Sequence, residues 1–170
     1  MRRFDKMDYN PRSAQIPLDE FDRRILRSLQ DCADKSMEDV SESVGLSRTP
    51  CWRRVKRLEE TGIIVKRVTL LARRSLGLGV KAFVCIKLKS HGAEVLFRFE
   101  TMMQDIEEVV ECYAVAGDDD YVLQVVAFDL WEYENILRNR IARLPEVNTM
   151  TSFITLKEIK YTTKLPLPQR

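Results

Sequence analysis

Gly45-Leu46-Ser47-Arg48-Thr49-Pro50-Cys51-Trp52-Arg53-Arg54-Val55-Lys56-Arg57-Leu58-Glu59-Glu60-Thr61-Gly62 is the stretch on which the reading of this chain turns. It opens with a glycine suited to end one helix and a serine suited to cap the next. Pro50 falls in the first turn, where a proline costs a helix little. Cys51, Val55 and Leu58 then recur at helical spacing, and Gly62 marks the stop. A Gly-Leu-Ser turn between two helices predicts a helix-turn-helix.

The flanks agree. Ser36 is placed to cap a short helix with Met37, Val40 and Val44 on one face. Before it, Asp19 is placed to cap a helix whose apolar side carries Phe21, Ile25, Leu26 and Leu29. After the deciding stretch, Ile63-Ile64-Val65-Lys66-Arg67-Val68-Thr69-Leu70-Leu71 is rich in β-branched and basic residues, and it predicts a small hairpin or wing on the third helix. Residues 1–17 show no apolar periodicity and read as a flexible arm. The DNA-binding module is expected over 18–70.

Charge gives the basic helix a purpose. The whole chain carries a net charge of only +2. Residues 1–75 hold 17 Lys/Arg against 12 Asp/Glu, whereas residues 76–170 hold 11 against 14. The stretch 47–74 alone has nine basic residues and two acidic ones, Glu59 and Glu60. A basic segment beside an acidic one points to a polyanion facing the first. The third helix is therefore expected in the major groove of double-stranded DNA, with Arg53, Arg54, Lys56 and Arg57 around the apolar stripe. Ser47, Thr49 and the helix N-terminus are expected to hold phosphate, and Arg48 adds a further charge to the same helix. Trp52 is read as packing on the wing or lying near the DNA backbone.

A second module is expected beyond a hinge at 71–79, which holds Arg73-Arg74, Gly77 and Gly79. Val80–Leu88 alternates as a strand, and Ala93–Gln104 has helical spacing. Strands are expected at Val109–Val115 and Tyr121–Phe128, around a Gly117-Asp118-Asp119-Asp120 loop. Asp129 is placed to cap a helix through Arg143, a last strand follows over Val147–Thr155, and Leu156–Thr163 is expected to continue it or pair beside it. The order βαββαβ is ferredoxin-like, so the fold class is α+β, with this domain over 80–170. Val84, Ile86, Val122, Val125 and Phe153 are too apolar for a bare sheet face, which predicts pairing with a second copy of the chain.

Composition excludes several function classes. No apolar run approaches the roughly 20 residues of a membrane span. The start Met-Arg-Arg-Phe-Asp-Lys has no apolar core behind it, so a cytoplasmic, nucleoid-associated protein is expected. Cys32, Cys51, Cys85 and Cys112 are widely spaced and His91 is the one histidine, so no metal is expected and the thiols read as reduced and mostly buried. There is no nucleophile–base pair and no cofactor loop, because Gly77-x-Gly79 lacks the rest of a dinucleotide fingerprint. An enzyme is not expected.

Residues 47–59 with Gly62-Ile63-Ile64 resemble the recognition helix of the leucine-responsive/asparagine-responsive (Lrp/AsnC) regulator family, roughly S-P-T-P-C-x-x-R-V-x-R-L-E-x-x-G-x-I. Ala116-Gly117-Asp118-Asp119-Asp120-Tyr121 resembles its G-D-x-D-Y signature, and Leu144-Pro145-Glu146-Val147 its L-P-G-V. The resemblance runs from about Leu18 to Pro168. It implies a winged helix-turn-helix joined to an effector domain, homodimers that assemble to octamers or similar forms, and a small amino acid as effector. It places the effector site at Gly117, Asp118, Asp120 and Tyr121, with Ser152 on the last strand. Carboxylates suit the ammonium of such a ligand, and loop N–H groups suit its carboxylate. Two departures stand out: Arg48 replaces a proline, and Met150 and Ser152 replace a T-x-T pair. Thr49-Pro50-Cys51-Trp52 and the tail Ile159–Leu167 are similar to a subgroup that controls amino-acid breakdown or detoxification, cysteine among its signals. The competing reading is a DNA-organising protein with no metabolite effector.

Overall fold

The computed structural model describes residues 16–168, so the arm expected at residues 1–17 lies almost wholly outside them. The chain divides into two compact units. Among the described residues, one takes 16–69 together with 161–168, and the other is Leu70–Lys160.

The first unit is three helices, α1 (Glu20–Asp31), α2 (Met37–Val44) and α3 (Arg48–Glu60). Asp19 caps α1 and Ser36 caps α2, each through a reciprocal capping box, with Asp22 and Asp39 as the returning side chains. Gly45 ends α2 at φ +74°, a left-handed position in which an L side chain is strained. The helices bury Ile25, Val40, Val44, Cys51, Val55 and Leu58 against one another.

One charge sits inside this unit. Asp22 is 1% exposed. Its Oδ1 accepts from Arg54 Nη1 at 2.9 Å, and its Oδ2 accepts from Arg57 Nη2 at 2.5 Å and from the Asp19 N–H at 3.1 Å. Arg54 also donates to Asp19 Oδ2 at 2.6 Å, and its guanidinium lies over the Phe21 ring. A single carboxylate thus closes the cap of α1 and ties α1 to α3.

The wing expected over Ile63–Leu71 does not form. No strand occurs there; Ile63 and Ile64 pack on the helical core, while Val65, Val68, Leu70 and Leu71 are exposed. The segment holds no Gly, Asn, Asp or Pro to turn a hairpin, and a lone two-stranded ribbon is marginal in any case. The C-terminal tail lies on the helices instead: Gln30 exchanges two hydrogen bonds with the Leu165 backbone, and Leu167 packs on the core.

The second unit is β1 (Val80–Leu88), α4 (Ala93–Gln104), β2 (Val109–Ala114), β3 (Tyr121–Ala127), α5 (Leu130–Ile136) and β4 (Val147–Ile154). The four antiparallel strands lie in the order β2-β3-β1-β4, which is the ferredoxin-like sheet. Alternation sends Ala82, Val84, Ile86, Leu123 and Val125 toward the helices, where Phe99, Met103, Ile136 and Ile141 complete the core. This corrects the expected open face: Val84, Ile86 and Val125 are wholly buried, and only Val122 and Phe153 of the five lie on the outer side. Their outer-face neighbours are Phe83, Cys85 and Tyr113. The last turn of the second helix widens to a π turn over Leu137–Ile141.

Nothing past Thr155 continues the sheet. Thr155 N–H still reaches the Lys81 carbonyl at 2.9 Å, but β1 begins at Val80, so the partner strand has run out. The thiols are also less buried than expected: Cys51 is buried, Cys85 is half-buried, and Cys32 and Cys112 are exposed.

Asp22→Ala is expected to destabilise the helical unit by about 2–3 kcal/mol, less than a fully buried pair because Arg54 and Arg57 are partly solvated. Urea unfolding followed by Trp52 fluorescence in a Trp131→Phe background measures it. Arg48→Ala, which touches no such contact, should leave the midpoint in place.

Candidate nucleic-acid interface and effector loop

The outer side of α3 presents Ser47, Arg48, Thr49, Trp52, Arg53 and Lys56 to solvent. Ser47 stands at the N-cap but makes no side-chain cap bond, and Pro50 removes one first-turn donor. The helix start therefore keeps backbone N–H groups and a hydroxyl for an outside acceptor. Arg48 and Arg53 make no ion pair among the described residues. Lys56 pairs with Glu59 at 2.7 Å, and Arg67 reaches the same carboxylate at 3.5 Å.

Arg54 and Arg57 are placed differently from their expected roles. Both lie on α3 as the periodicity requires, yet both turn their guanidinium groups back onto Asp22. Their charge is evident from the sequence, but its destination, Asp22, is not. The available signal was Asp22 itself, an acid three residues after a capping Asp19 and one turn ahead of the apolar Ile25-Leu26 pair. Trp52 is half-exposed and lines a groove of about 560 Å³ with Val55, Ile64 and Val65, which takes the place of the expected wing contact.

The acidic loop joins β2 to β3. Gly117 and Asp118 are exposed. Asp120 is pinned: its Oδ2 accepts from the Leu88 N–H at 2.7 Å, its Oδ1 lies 2.8 Å from His91 Nε2, and its own N–H donates to the Ile86 carbonyl at 2.8 Å. The Leu88 N–H first, and His91 after it, hold the Asp120 carboxyl below the usual carboxylate range. Tyr121 points inward. It is 3% exposed, its hydroxyl donates to Glu100 Oε1 at 2.9 Å, and its ring centroid lies 4.7 Å from that of Phe99. Burial, then the contact with Glu100, pushes its hydroxyl well above the ordinary titration range.

Ser152 is not brought to this loop. It lies on β4, beside Val84 on the side of the sheet that faces Tyr133, and β1 separates it from β3. Among the described residues no group of three His, Cys, Asp or Glu side chains is placed to hold a metal ion, and no helix is long and apolar enough to cross a membrane. His91, at the loop through Asp120, was not singled out from sequence, although it is the one imidazole in the chain.

Known proteins match both units. The family model for a winged helix-turn-helix DNA-binding domain covers residues 18–65, and that for an Lrp/AsnC ligand binding domain covers residues 81–165. The chain is 38% identical over 150 residues to the DNA-binding transcriptional activator DecR of Escherichia coli, spanning 88% of this chain and 99% of the relative. It superposes on an AsnC family transcriptional regulator from Agrobacterium tumefaciens with a TM-score of 0.83 and 42% identity, covering 88% and 97% of the two chains. A Neisseria meningitidis transcriptional regulator solved as its L-Met complex gives a TM-score of 0.85 at 33% identity, with 88% and 97% covered. Two independent domain matches in the same order, over nearly the full length of these relatives, decide the matter: the chain belongs to the Lrp/AsnC family of transcription regulators, DNA-binding proteins and not enzymes.

Proposed function

We propose that this regulator reads operator DNA through α3 as a homodimer, working on nucleoid DNA in the cytoplasm, and that a small amino acid bound at the Gly117–Tyr121 loop sets its affinity or assembly. The observation that carries the DNA reading is the solvent face of α3, where Arg48, Thr49, Trp52, Arg53 and Lys56 surround an uncapped helix start. Arg53 is the base reader, because its fork is free and it stands one turn into the helix. Ser47, Arg48 and Thr49 hold phosphate. Arg54 and Arg57 add field but act chiefly by fixing the helix through Asp22.

Arg53→Ala should weaken binding to operator DNA by about 1–3 kcal/mol with no change in melting temperature. Arg57→Ala should lower stability as well. Gel shifts on the protein's own promoter region, run beside thermal unfolding, separate the two. Undiminished binding by the Arg48→Ala, Arg53→Ala double variant would remove α3 as the reading element.

The dimer follows from the outer sheet face. Phe83, Tyr113 and Phe153 are exposed there beside Cys85 and Val122, an apolar surface that a second copy covers by symmetry. Dimers of this kind are the units of an octamer or a related ring. Phe153→Glu should lower the sedimentation coefficient to that of a smaller species; an unchanged value rules this face out as the interface.

The amino-acid effector is supported by the ligand-binding domain match and by the L-Met complex of the Neisseria meningitidis relative. Gly117 and Asp118 are the exposed members of the loop and the first contacts, and Met150 and Ser152 line the last strand. A thermal-shift screen of the twenty amino acids, cysteine and methionine first, should find one that raises the melting temperature, with the gain lost in Asp118→Ala. A DNA-organising protein without effector is the second reading. Its support is that Asp120 and Tyr121 already spend their polar groups inside the protein; stabilisation by none of the twenty would favour it.

A further inference from the structure

Asp120 ties the acidic loop to the end of β1. Past the Ile86–Tyr121 pair the β1–β3 ladder ends, and the Leu88 N–H takes the Asp120 carboxylate instead of a strand carbonyl. The Asp120 carbonyl in turn accepts from Val115 N–H at 2.9 Å, which closes residues 115–120 into one turn. With one oxygen on Leu88 and the other on His91, this carboxylate is a staple and not a free acceptor for a ligand.

The second arm of the staple is a contact with an imidazole, His91 Nε2 to Asp120 Oδ1 at 2.8 Å. A neutral imidazole gives Asp120 one ordinary hydrogen bond, whereas an imidazolium gives it a charge-assisted bond. Imidazole is the side chain whose charge ordinarily changes between pH 5 and 8. Asp120 stays ionised across that window, its carboxyl being held low by Leu88 and then His91. Lys87 lies close enough to act on the Asp120 charge; the charged residues next along the chain are Lys89 and Glu94 on either side of His91, and Asp118 and Asp119 before Asp120. Carboxylic acids and alkylammonium groups as classes titrate outside the window. The chain has one histidine, so proton linkage at this loop has one imidazole source.

We propose that His91 is a positioning residue of the effector loop, holding residues 115–120 against β1 through Asp120, more tightly when the imidazole carries a proton. The functional consequence rests on the reading of this loop as the effector site: the amino acid binds more tightly at pH 5.5 than at pH 7.5. The sign follows from the charge, since the ordered loop is the form that the imidazolium favours. The pair is partly solvated, with His91 63% and Asp120 21% exposed, so the expected gain is about two- to fivefold in affinity.

The test has two arms on the full chain. In the first, deuterium uptake by the peptide spanning residues 113–121 is measured without ligand at pH 5.5 and 7.5, corrected for intrinsic exchange. Wild type should be better protected at pH 5.5. His91→Gln, which keeps a donor but no titrating group, should show equal protection at both, and His91→Ala should be least protected at both. Retention of the pH dependence in His91→Gln, or protection in His91→Ala equal to wild type, overturns the proposal. In the second arm, the affinity of the amino acid found by thermal shift is measured at the two pH values for wild type and His91→Gln; a wild-type gain that the variant keeps also overturns it. Loop protection that follows His91 while no amino acid binds supports the positioning role and removes the effector reading alone.

Discussion

A carboxylate taken out of water has to be met by donors, or it loses its charge or unfolds its surroundings. Asp22 is such a carboxylate, and the helical unit is arranged around meeting its demand. The Asp19 N–H reaches it only if α1 starts where it does, and Arg54 and Arg57 reach it only if α3 lies at one angle to α1. Apolar packing of Ile25, Val55 and Leu58 tolerates small slides and rotations. Two guanidinium groups on one buried acid do not. The orientation of α3 decides what it shows outward. With Arg54 and Arg57 committed to Asp22, Trp52 and Lys56 are left on the outer side of the helix, and exposed Arg53 stands between them and Arg57.

The sheet unit obeys a simpler rule. Period-two alternation gives β1 and β3 one buried and one outer row, and the register between them fixes which residues share each row. Val84 pairs with Leu123 inside, and Cys85 pairs with Val122 outside. The outer row leaves Phe83, Tyr113 and Phe153 exposed, and the acidic loop lies at the strand ends. The acidic loop therefore sits at the place where the β1–β3 ladder stops, and an unpaired ladder donor, the Leu88 N–H, is what makes Asp120 useful there.

Much of this was legible in the sequence, and the illegible parts share a cause. Local signals were reliable: Asp19 and Ser36 as caps, Gly45 as a stop, the βαββαβ order, and the core residues Ile25, Val40, Val55 and Leu58 all follow from spacing along one element. Errors arose where the outcome depended on another element. The wing failed because β-branched composition does not supply a turn. Val84, Ile86 and Val125 were given to the outer face because a strand pattern shows two faces without saying which one the helices cover. Arg54 and Arg57 were given to DNA because their partner stands more than thirty positions away. Tyr121 and Ser152 were placed in one site by motif, although the fold turns Tyr121 into the core and puts β1 between them.

These cases qualify what a charge pattern means. The stretch 47–74 carries nine cations and a net charge of +7, but the protein takes part of that charge for itself. Asp22 and Asp19 hold Arg54, Asp22 holds Arg57, and Glu59 draws on Lys56 and Arg67. The cations so held are not lost to DNA, since a paired guanidinium still contributes to the field, but they are poorly able to shift toward a base. Mobility and geometry then sort the helix into two classes of arginine. Arg48 and Arg53 are exposed and make no ion pair among the described residues, while Arg54 and Arg57 are held on Asp22 and fix α3 against α1. The same holds in the acidic loop, where Asp120 is spent on shape and Asp118 stays exposed. In both units a motif names the residues, and the hydrogen bonds already made decide which of them remain available.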